Sequence, residues 1–504
     1  MHEIILTTFN ARYSHTALGL RYLYANLNEF REKSKILEFI INSNVTDALE
    51  TILSHKPKIV GISVYIWNAL EVSELIMLIK KVAPDVIIVL GGPEASYTPH
   101  RVDFSMADYI IQGEGEYAFY ELVKSILSEK KPKEQVIFGQ MANLATINLP
   151  YDYYNEEDIA NRHCYVEASR GCPFSCEFCL SSLDKRVREV PMERFLGEME
   201  ILWQKGVRSF KFIDRTFNLS IPNATALLDF FLSKDEDYFV HFEVIPDHFP
   251  KALRERIKQF KPASLQLEVG IQTLNLEVAK RIHRRLNMEK IKTNLAFLQD
   301  ETDAHLHVDL IVGLPGEDLK SFANSLNRLY SLTKCEIQIG ILKKLSGTTL
   351  SRHDKEYAML YSDLPPYEVL QNRDISFEQM QIMKRFARFW DLVFNSGNFK
   401  NSAPLLWKDG KVFEGFLAFS KWLYGQTSST WQISLERLSG YVFEYLCEQL
   451  KEDEEAVKAL IKEDFMSCRG RKLPSFLRDD NSEKQKEDKS PQIANKRQLK
   501  HSRT

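Results

Sequence analysis

Three cysteines set the chemistry open to this chain. Cys172, Cys176 and Cys179 stand in the run Gly171-Cys172-Pro173-Phe174-Ser175-Cys176-Glu177-Phe178-Cys179. The spacing C-x-x-x-C-x-x-C puts three thiolates on one tight loop, close enough to hold a single small cluster. Thiolates are the usual ligands of a [4Fe–4S] cube. A loop supplying only three leaves one iron open to a ligand that is not protein, much as a missing protein ligand marks the reactive position of catalytic zinc. Two other readings stand beside this one: a structural zinc site with His163 or Cys164 as fourth ligand, and three unligated core cysteines. Zinc sites usually present cysteines in C-x-x-C pairs, and the sequence has no second pair, which favours the cluster.

The loop needs strands to carry it. Between about His163 and Lys344, strand-like runs at Cys164–Ala168, Ser209–Ile213, Phe239–Ile245, Ser264–Val269, Ala304–Val312 and Cys335–Ile341 alternate with helical stretches. The cysteine loop directly follows the first of these runs. In barrels built of strand–helix units the chemistry sits at the carboxyl ends of the strands. An ordered series of motifs follows: Asp214-Arg215-Thr216-Phe217-Asn218 after the second strand, Glu243 in the third and Glu268-Val269-Gly270-Ile271-Gln272-Thr273 in the fourth. Asp309 through Glu317, containing Gly313-Leu314-Pro315-Gly316, closes the fifth, and Leu345-Ser346-Gly347-Thr348 comes last. Singly, an interior Glu can be half of an ion pair and Gly-Leu-Pro-Gly an ordinary turn.

As a series, with the aromatic Phe178 just before the last cysteine, these motifs resemble the radical S-adenosylmethionine (radical SAM) superfamily. The resemblance implies an incomplete (β/α)6 barrel. It implies a [4Fe–4S] cluster on Cys172, Cys176 and Cys179, with the open iron chelating the amine and carboxylate of SAM. One electron from the cluster then splits SAM into methionine and a 5′-deoxyadenosyl radical. It further implies cofactor contacts from Phe178, Gly270, Gln272, Asp309, Gly313 and Pro315, and catalytic roles for Asp214, Glu243 and Glu268.

Residues 1 to about 130 follow a different plan. Ile4–Phe9, Ile36–Ile41, Ile59–Ser63, Val86–Leu90 and Tyr109–Gln112 read as strands, and stretches near Leu18–Asn28, Val45–Leu53, Ala69–Val82 and Tyr117–Leu127 as helices. Such alternation implies a doubly wound, Rossmann-like parallel sheet, whose ligands sit beyond the carboxyl ends of the strands. The unusual loops fall there: Asn10 through His15, Ser63-Val64-Tyr65, Gly91-Gly92-Pro93-Glu94 and Gly113-Glu114-Gly115-Glu116. They resemble the cobalamin-binding domain that precedes the barrel in one radical SAM subfamily, which implies cobalamin contacts from Asn10, Ser14, Ser63, Tyr65, Gly91, Gly92, Gly113 and Glu114. The axial-histidine pattern D-x-H-x-x-G is not met, since Tyr13 stands two before His15 and Leu18 three after it. A cobalamin without a protein axial ligand is expected. The competing reading is a Rossmann-like domain that binds a nucleotide or nothing.

Residues 131–162, with Pro132 and Pro150, read as a linker, and 163–350 as the barrel. Residues 364–477 read as a mostly helical domain, with amphipathic helices at Phe377–Phe394, Phe413–Tyr424 and Ser434–Leu450. Its aromatic stripe, with Trp390, Trp407, Trp422 and Trp431, is read as core. Residues 478–504 are charged and poor in large apolar side chains, the composition of a disordered tail. A hydrophobic content of 44% and a charged content of 27% suit a soluble globular protein. A net charge of -3 argues against a strongly electrostatic nucleic-acid binder. Seven cysteines in 504 residues read as reduced thiols of a cytoplasmic protein, and neither a signal peptide nor a membrane span is expected.

The leading reading is an enzyme that methylates an unactivated carbon of a small-molecule or natural-product substrate, drawing electrons from a donor such as flavodoxin or ferredoxin. A radical SAM enzyme that rearranges or cyclises its substrate without methyl transfer is the alternative, and a cluster-and-corrinoid redox sensor is the non-enzymatic one. A methylthiotransferase needs three further cysteines in its amino-terminal domain, and no cysteine precedes Cys164.

Overall fold

The computed structural model describes residues 2–407, 410–467 and 471–478. Cys468 and the charged tail beyond Arg478 lie outside them. The chain divides into two compact units. The first holds the described residues up to Arg215 with Lys343–Arg352 and Tyr361–Glu368; the second holds Thr216–Leu342, His353–Leu360 and the described residues from Val369 onward.

The first unit is built on β1 (Ile4–Asn10), β2 (Ser34–Ile40), β3 (Ile59–Ser63), β4 (Ile87–Gly91), β5 (Tyr109–Gln112) and β6 (Val136–Phe138). All neighbours pair in parallel, in the order β2-β1-β3-β4-β5-β6. Because side chains alternate across a strand, β1 divides its residues between two cores. Ile5 and Phe9 join Val60, Ile62, Ile88 and Leu90 under α2 (Val45–Ser54) and α3 (Ala69–Val82). Ile4 and Leu6 join Ile59, Val89 and Ile111 under α1 (Leu18–Ala25) and α4 (Glu116–Leu127). Helices on both faces make the sheet doubly wound, as the alternating pattern requires. Of the stretch read as a linker, β6 adds a sixth strand beside β5, and α5 (Glu156–Asn161) starts with an Asn155 capping box.

Strand β7 (Cys164–Val166) belongs to the same unit and pairs in parallel with β10 (Ser209–Phe212). Between them a short antiparallel ribbon of β8 (Ser169–Arg170) and β9 (Arg188–Glu189) brackets the cysteine loop.

The second unit carries β11 (Phe239–Val244), β12 (Leu265–Gln272), β13 (His305–Val312) and β14 (Glu336–Ile341), paired in parallel. These strands have one apolar and one polar side. Val240, Phe242, Leu265, Leu267, Val308 and Leu310 are buried, whereas Glu243, Glu268 and Asp309 on the other side are only partly so. Beyond them lie helices Phe377–Trp390, Val412–Thr427, Leu435–Glu444 and Glu454–Met466. The first and third continue as single π-helical turns, Asp391–Asn395 and Tyr445–Gln449, and so reach the ends expected from periodicity. Trp390 and Trp407 are buried among Phe386, Phe394 and Phe416, a core as read, but Trp431 is exposed with Arg388 over its ring.

Candidate cofactor sites

The strand order of the first sheet reverses between β1 and β3, and ligands of doubly wound sheets sit at such a switch point. A cavity of about 620 Å³ opens there. Asn10, Ser63, Tyr65, Gly91, Gly92, Gly113 and Glu114 line it. Ser14 is not in the lining, and its carbonyl accepts the His163 N–H at 2.9 Å. Gly92 has φ +98, and a Cβ there would stand 2.6 Å from the Val64 carbonyl oxygen, so the β4 turn reaches the cavity only as glycine. A Cβ on Gly91 would meet nothing within 4 Å, which leaves bare backbone facing the space. Tyr65 stacks on Trp67 at 4.4 Å, giving one wall a flat aromatic surface.

The β1 loop is held from behind. The Asn10 side chain donates to Glu38 at 3.0 Å, and Glu38 also takes the Ala17 N–H and the Arg21 guanidinium. Arg21 in turn bonds Asp158 at 2.6 Å, and both side chains are almost fully buried. His15 lines the cavity with its ring against the Tyr165 hydroxyl. Burial, assisted by the charges of Lys211, His163 and Arg12, pushes its pKa down to about 4, so the imidazole is neutral. The sequence reading missed Trp67, Tyr165, Glu167 and Arg170, which line the same space, as does Arg215 of the Asp214–Asn218 motif. Arg170, next to Gly171-Cys172, offered the one local signal.

The cysteine loop is a tight excursion from the β8–β9 ribbon. The Cys172 N–H donates to the Asp184 carbonyl at 2.9 Å and the Cys179 N–H to Cys176 at 3.2 Å. Cys172 and Cys176 are buried and Cys179 is half-buried, all as free thiols. Phe178 is half-buried beside them. Glu177, almost fully buried, pairs with Arg352 at 2.8 Å and fixes the middle of the loop. Burial raises the Cys172 thiol pKa; Cys179 and Cys176 raise it further, so the three sulphurs feel one another, and Arg215 opposes them. Among the described residues, no three His, Cys, Asp or Glu side chains converge on a single ion. One iron per thiolate is the arrangement this donor set suits. The zinc alternative fits less well. His163 Nδ1 pairs with Ser209 Oγ at 2.9 Å, and Cys164 is buried in β7 with its thiol pKa pushed up to about 12.

Asp214 is bound at the foot of this loop. Its carboxylate takes the Ala168 N–H at 3.0 Å and the Ser169 hydroxyl at 2.5 Å, and burial raises its pKa to about 7. In the second unit, Glu243 and Glu268 are register neighbours on β11 and β12, and Asp309 lies beside Gly270 on β13. The His241 ring meets Glu268 at 3.0 Å. Burial and then the charges of Glu268 and Glu243 push the Asp309 carboxyl far above the usual range, against Arg284. Gly270 and Gln272 flank a register shift, with Gln272 at φ +72. Gly313 has φ +91 and abuts Val369, and the Pro315 carbonyl accepts from Arg281 at 2.8 Å. The structure therefore gathers Glu243, Glu268, Gly270 and Asp309 on neighbouring strands, while Gly313 and Pro315 hold the turn after β13.

The model of the B12 binding domain matches residues 5–123, and that of the radical SAM superfamily matches residues 166–329. The chain carries a B12-binding domain followed by a radical SAM domain. A third model, for a family of unknown function called DUF4080, matches residues 355–502. Among its relatives, the uncharacterized methyltransferase PH0819 of Pyrococcus horikoshii is 28% identical over 232 residues, 41% of this chain and 50% of that protein. The cobalamin-dependent radical SAM methyltransferase TokK of Streptomyces tokunonensis is 26% identical over 316 residues, 54% of this chain and 45% of that one. The chain thus spans about half the length of these curated relatives. The cobalamin-dependent SAM radical enzyme OxsB, solved with aqua-cobalamin, shares the fold with a TM-score of 0.61 at 15% identity, over 92% of this chain and 79% of that one. No helix among the described residues is long and apolar enough to cross a membrane.

Proposed function

We propose that this chain is a cobalamin-dependent radical SAM methyltransferase that alkylates an unactivated carbon of a small-molecule substrate. The observation that carries the reading is the cavity at the β1/β3 switch point, lined by the glycine turns and also by Arg170, two residues before Cys172. Cobalamin would occupy that cavity, and Cys172, Cys176 and Cys179 would hold the [4Fe–4S] cluster. When bound, these groups with SAM supply a carbon radical that removes hydrogen and a methyl group that can be passed to a carbon lacking nucleophilic character.

The chain's own residues prepare the two sites. Gly91 and Gly92 let backbone approach a large flat ligand. Tyr65 and Trp67 offer it an apolar face, and Asn10 and Glu114 meet polar substituents at the rim. Asp214 secures the Ala168–Ser169 turn that leads into the cysteine loop, so it acts by positioning. Glu243, Glu268 and Asp309 present carboxyls along one side of the barrel strands, where they orient SAM or substrate; Gly270, Gln272, Gly313 and Pro315 shape the backbone around them. Electrons come from a low-potential protein such as flavodoxin or ferredoxin. The free thiols suit a reducing cytoplasm.

The test is product partition under anaerobic reduction. Protein with full iron and cobalamin should release 5′-deoxyadenosine and methionine from SAM slowly without substrate, and S-adenosylhomocysteine as well when its substrate is supplied. 5′-Deoxyadenosine alone during substrate consumption would move the assignment to a rearranging or cyclising enzyme. Neither product would replace it with the sensor reading.

A further inference from the structure

Two arginines tie the cysteine loop to the rim of the B12 cavity. Arg170 and Arg188 face each other across the β8–β9 ribbon, at the two ends of the excursion that holds Cys172, Cys176 and Cys179. Both reach the turn after β5. Arg170 bonds Glu116 at 2.7 Å and stands 3.5 Å from Glu114. Arg188 grips Glu114 with both terminal nitrogens, Nη1 to Oε2 at 3.2 Å and Nη2 to Oε1. Arg188 also donates to the Ala142 carbonyl and to the Asp184 carboxylate, each at 3.0 Å. The backbone carbonyl of that same Asp184 takes the Cys172 N–H.

An unbroken path of contacts therefore runs Glu114–Arg188–Asp184–Cys172. A two-pronged arginine–carboxylate pair fixes relative orientation as well as distance. Burial works against ionised Glu114, but its bonds from Arg188 and Ala142 hold the carboxyl below its usual range, so the grip persists at neutral pH. Glu114 and Arg170 line the cavity, whereas Arg188 is absent from its lining and is not a cysteine-loop ligand. Arg188 therefore contacts residues beside both candidate sites and belongs to the proposed ligand set of neither.

We propose that Arg188 is a positioning residue that couples the two sites, so that cobalamin binds more tightly to protein carrying its cluster. A ligand filling the cavity fixes the Glu114 turn, and through Arg188 it fixes the Asp184 carbonyl on which Cys172 is hung. Ordering either end lowers the cost of ordering the other, and the effect is reciprocal. The inference rests on the proposed cofactor assignment.

Hydroxocobalamin titrated into the full chain, with and without a reconstituted cluster, reads the coupling as a ratio of dissociation constants. The parent should show a ratio of about fivefold or more. Arg188→Met should bring it to about one, the two dissociation constants converging whatever their common value. Arg188→Lys keeps the charge but loses the fork; it should lower the ratio too, and it carries the test if the Met variant does not fold. A parent ratio of one overturns the proposal, and so does a ratio undiminished in a folded variant. Protein that takes up no hydroxocobalamin in either state refutes instead the assignment of the cavity.

Discussion

Gly171 lies so close to Arg186 that a Cβ on it would stand 2.3 Å from the Arg186 carbonyl oxygen, and its φ of +93 lies in the left-handed region. The two strands of the β8–β9 ribbon close over the cysteine loop at this contact, and no other residue type fits. Gly171→Ala should strain the backbone by about 1–3 kcal/mol. Reconstituted protein should then hold less iron per chain and show weaker visible absorption, while staying soluble. Iron content equal to the parent would show that the ribbon does not set the thiol geometry.

Replacing Cys172, Cys176 and Cys179 together with Ala should abolish iron binding, whereas Cys335→Ala and Cys447→Ala should leave it intact. Burial pushes the thiol pKa of Cys335 up to about 12, which keeps it protonated and a poor ligand. Full iron in the triple variant would end the cluster assignment.

Cobalamin uptake should depend on Gly92. Forcing a Cβ against the Val64 carbonyl oxygen at 2.6 Å displaces the β4 turn. Gly92→Ala should weaken binding by about tenfold or more, a factor that corresponds to 1.4 kcal/mol. Equilibrium dialysis measures it, and unchanged retention would place the ligand elsewhere.

His15 pairs with the Tyr165 hydroxyl, so we expect cobalt without a nitrogen from this side chain. Electron paramagnetic resonance of the cob(II)alamin form should show no nitrogen superhyperfine splitting attributable to the protein. Splitting that disappears in His15→Ala would reverse the expectation.

Glu317 gives a pH signature independent of any cofactor. It accepts from Thr273 at 2.6 Å and Ser321 at 3.2 Å, while its other oxygen is buried without a hydrogen-bond partner. Burial raises its pKa from 4.5 to about 7. With the folded value above the unfolded one, its contribution to stability is complete below about pH 4.5 and lost as pH rises through about 7, a change of roughly 3 kcal/mol at most. Melting temperature across that window should slope downward in the parent and flatten in Glu317→Gln. A parallel slope in the variant would assign the titration to another group.

Much of this architecture is legible in local sequence because its signals are local. The β3 and β5 strands and the α3 helix stand where periodicity puts them, since alternation and 3.6-residue spacing depend only on which faces are buried. Strand order is not local, so the switch point between β1 and β3 was visible only as loops that share one edge. The β6 strand is three residues long between polar neighbours and declares itself only by pairing with β5. Trp431 has the spacing of its buried neighbours, yet it is exposed because the α-helix ends at Thr427, before reaching it. The Arg188–Glu114 bond joins residues 74 apart, which no local pattern encodes.

The Arg21–Glu38–Asp158 cluster limits how this protein can be cut and recombined. A B12 module transplanted with a boundary near residue 130 would carry Arg21 and Glu38 but leave Asp158 behind, along with the strand that covers β5. Removing one member of a buried ionic group costs about 3–5 kcal/mol, because the charge left over stays buried. A bare sheet edge also invites pairing with other chains. Arg162 also pairs with Glu38 at 3.5 Å and Asp158 at 3.4 Å. The piece that can travel between proteins therefore extends at least to Arg162, and exchange of cobalamin domains among such enzymes should succeed at that later boundary and aggregate at the earlier one.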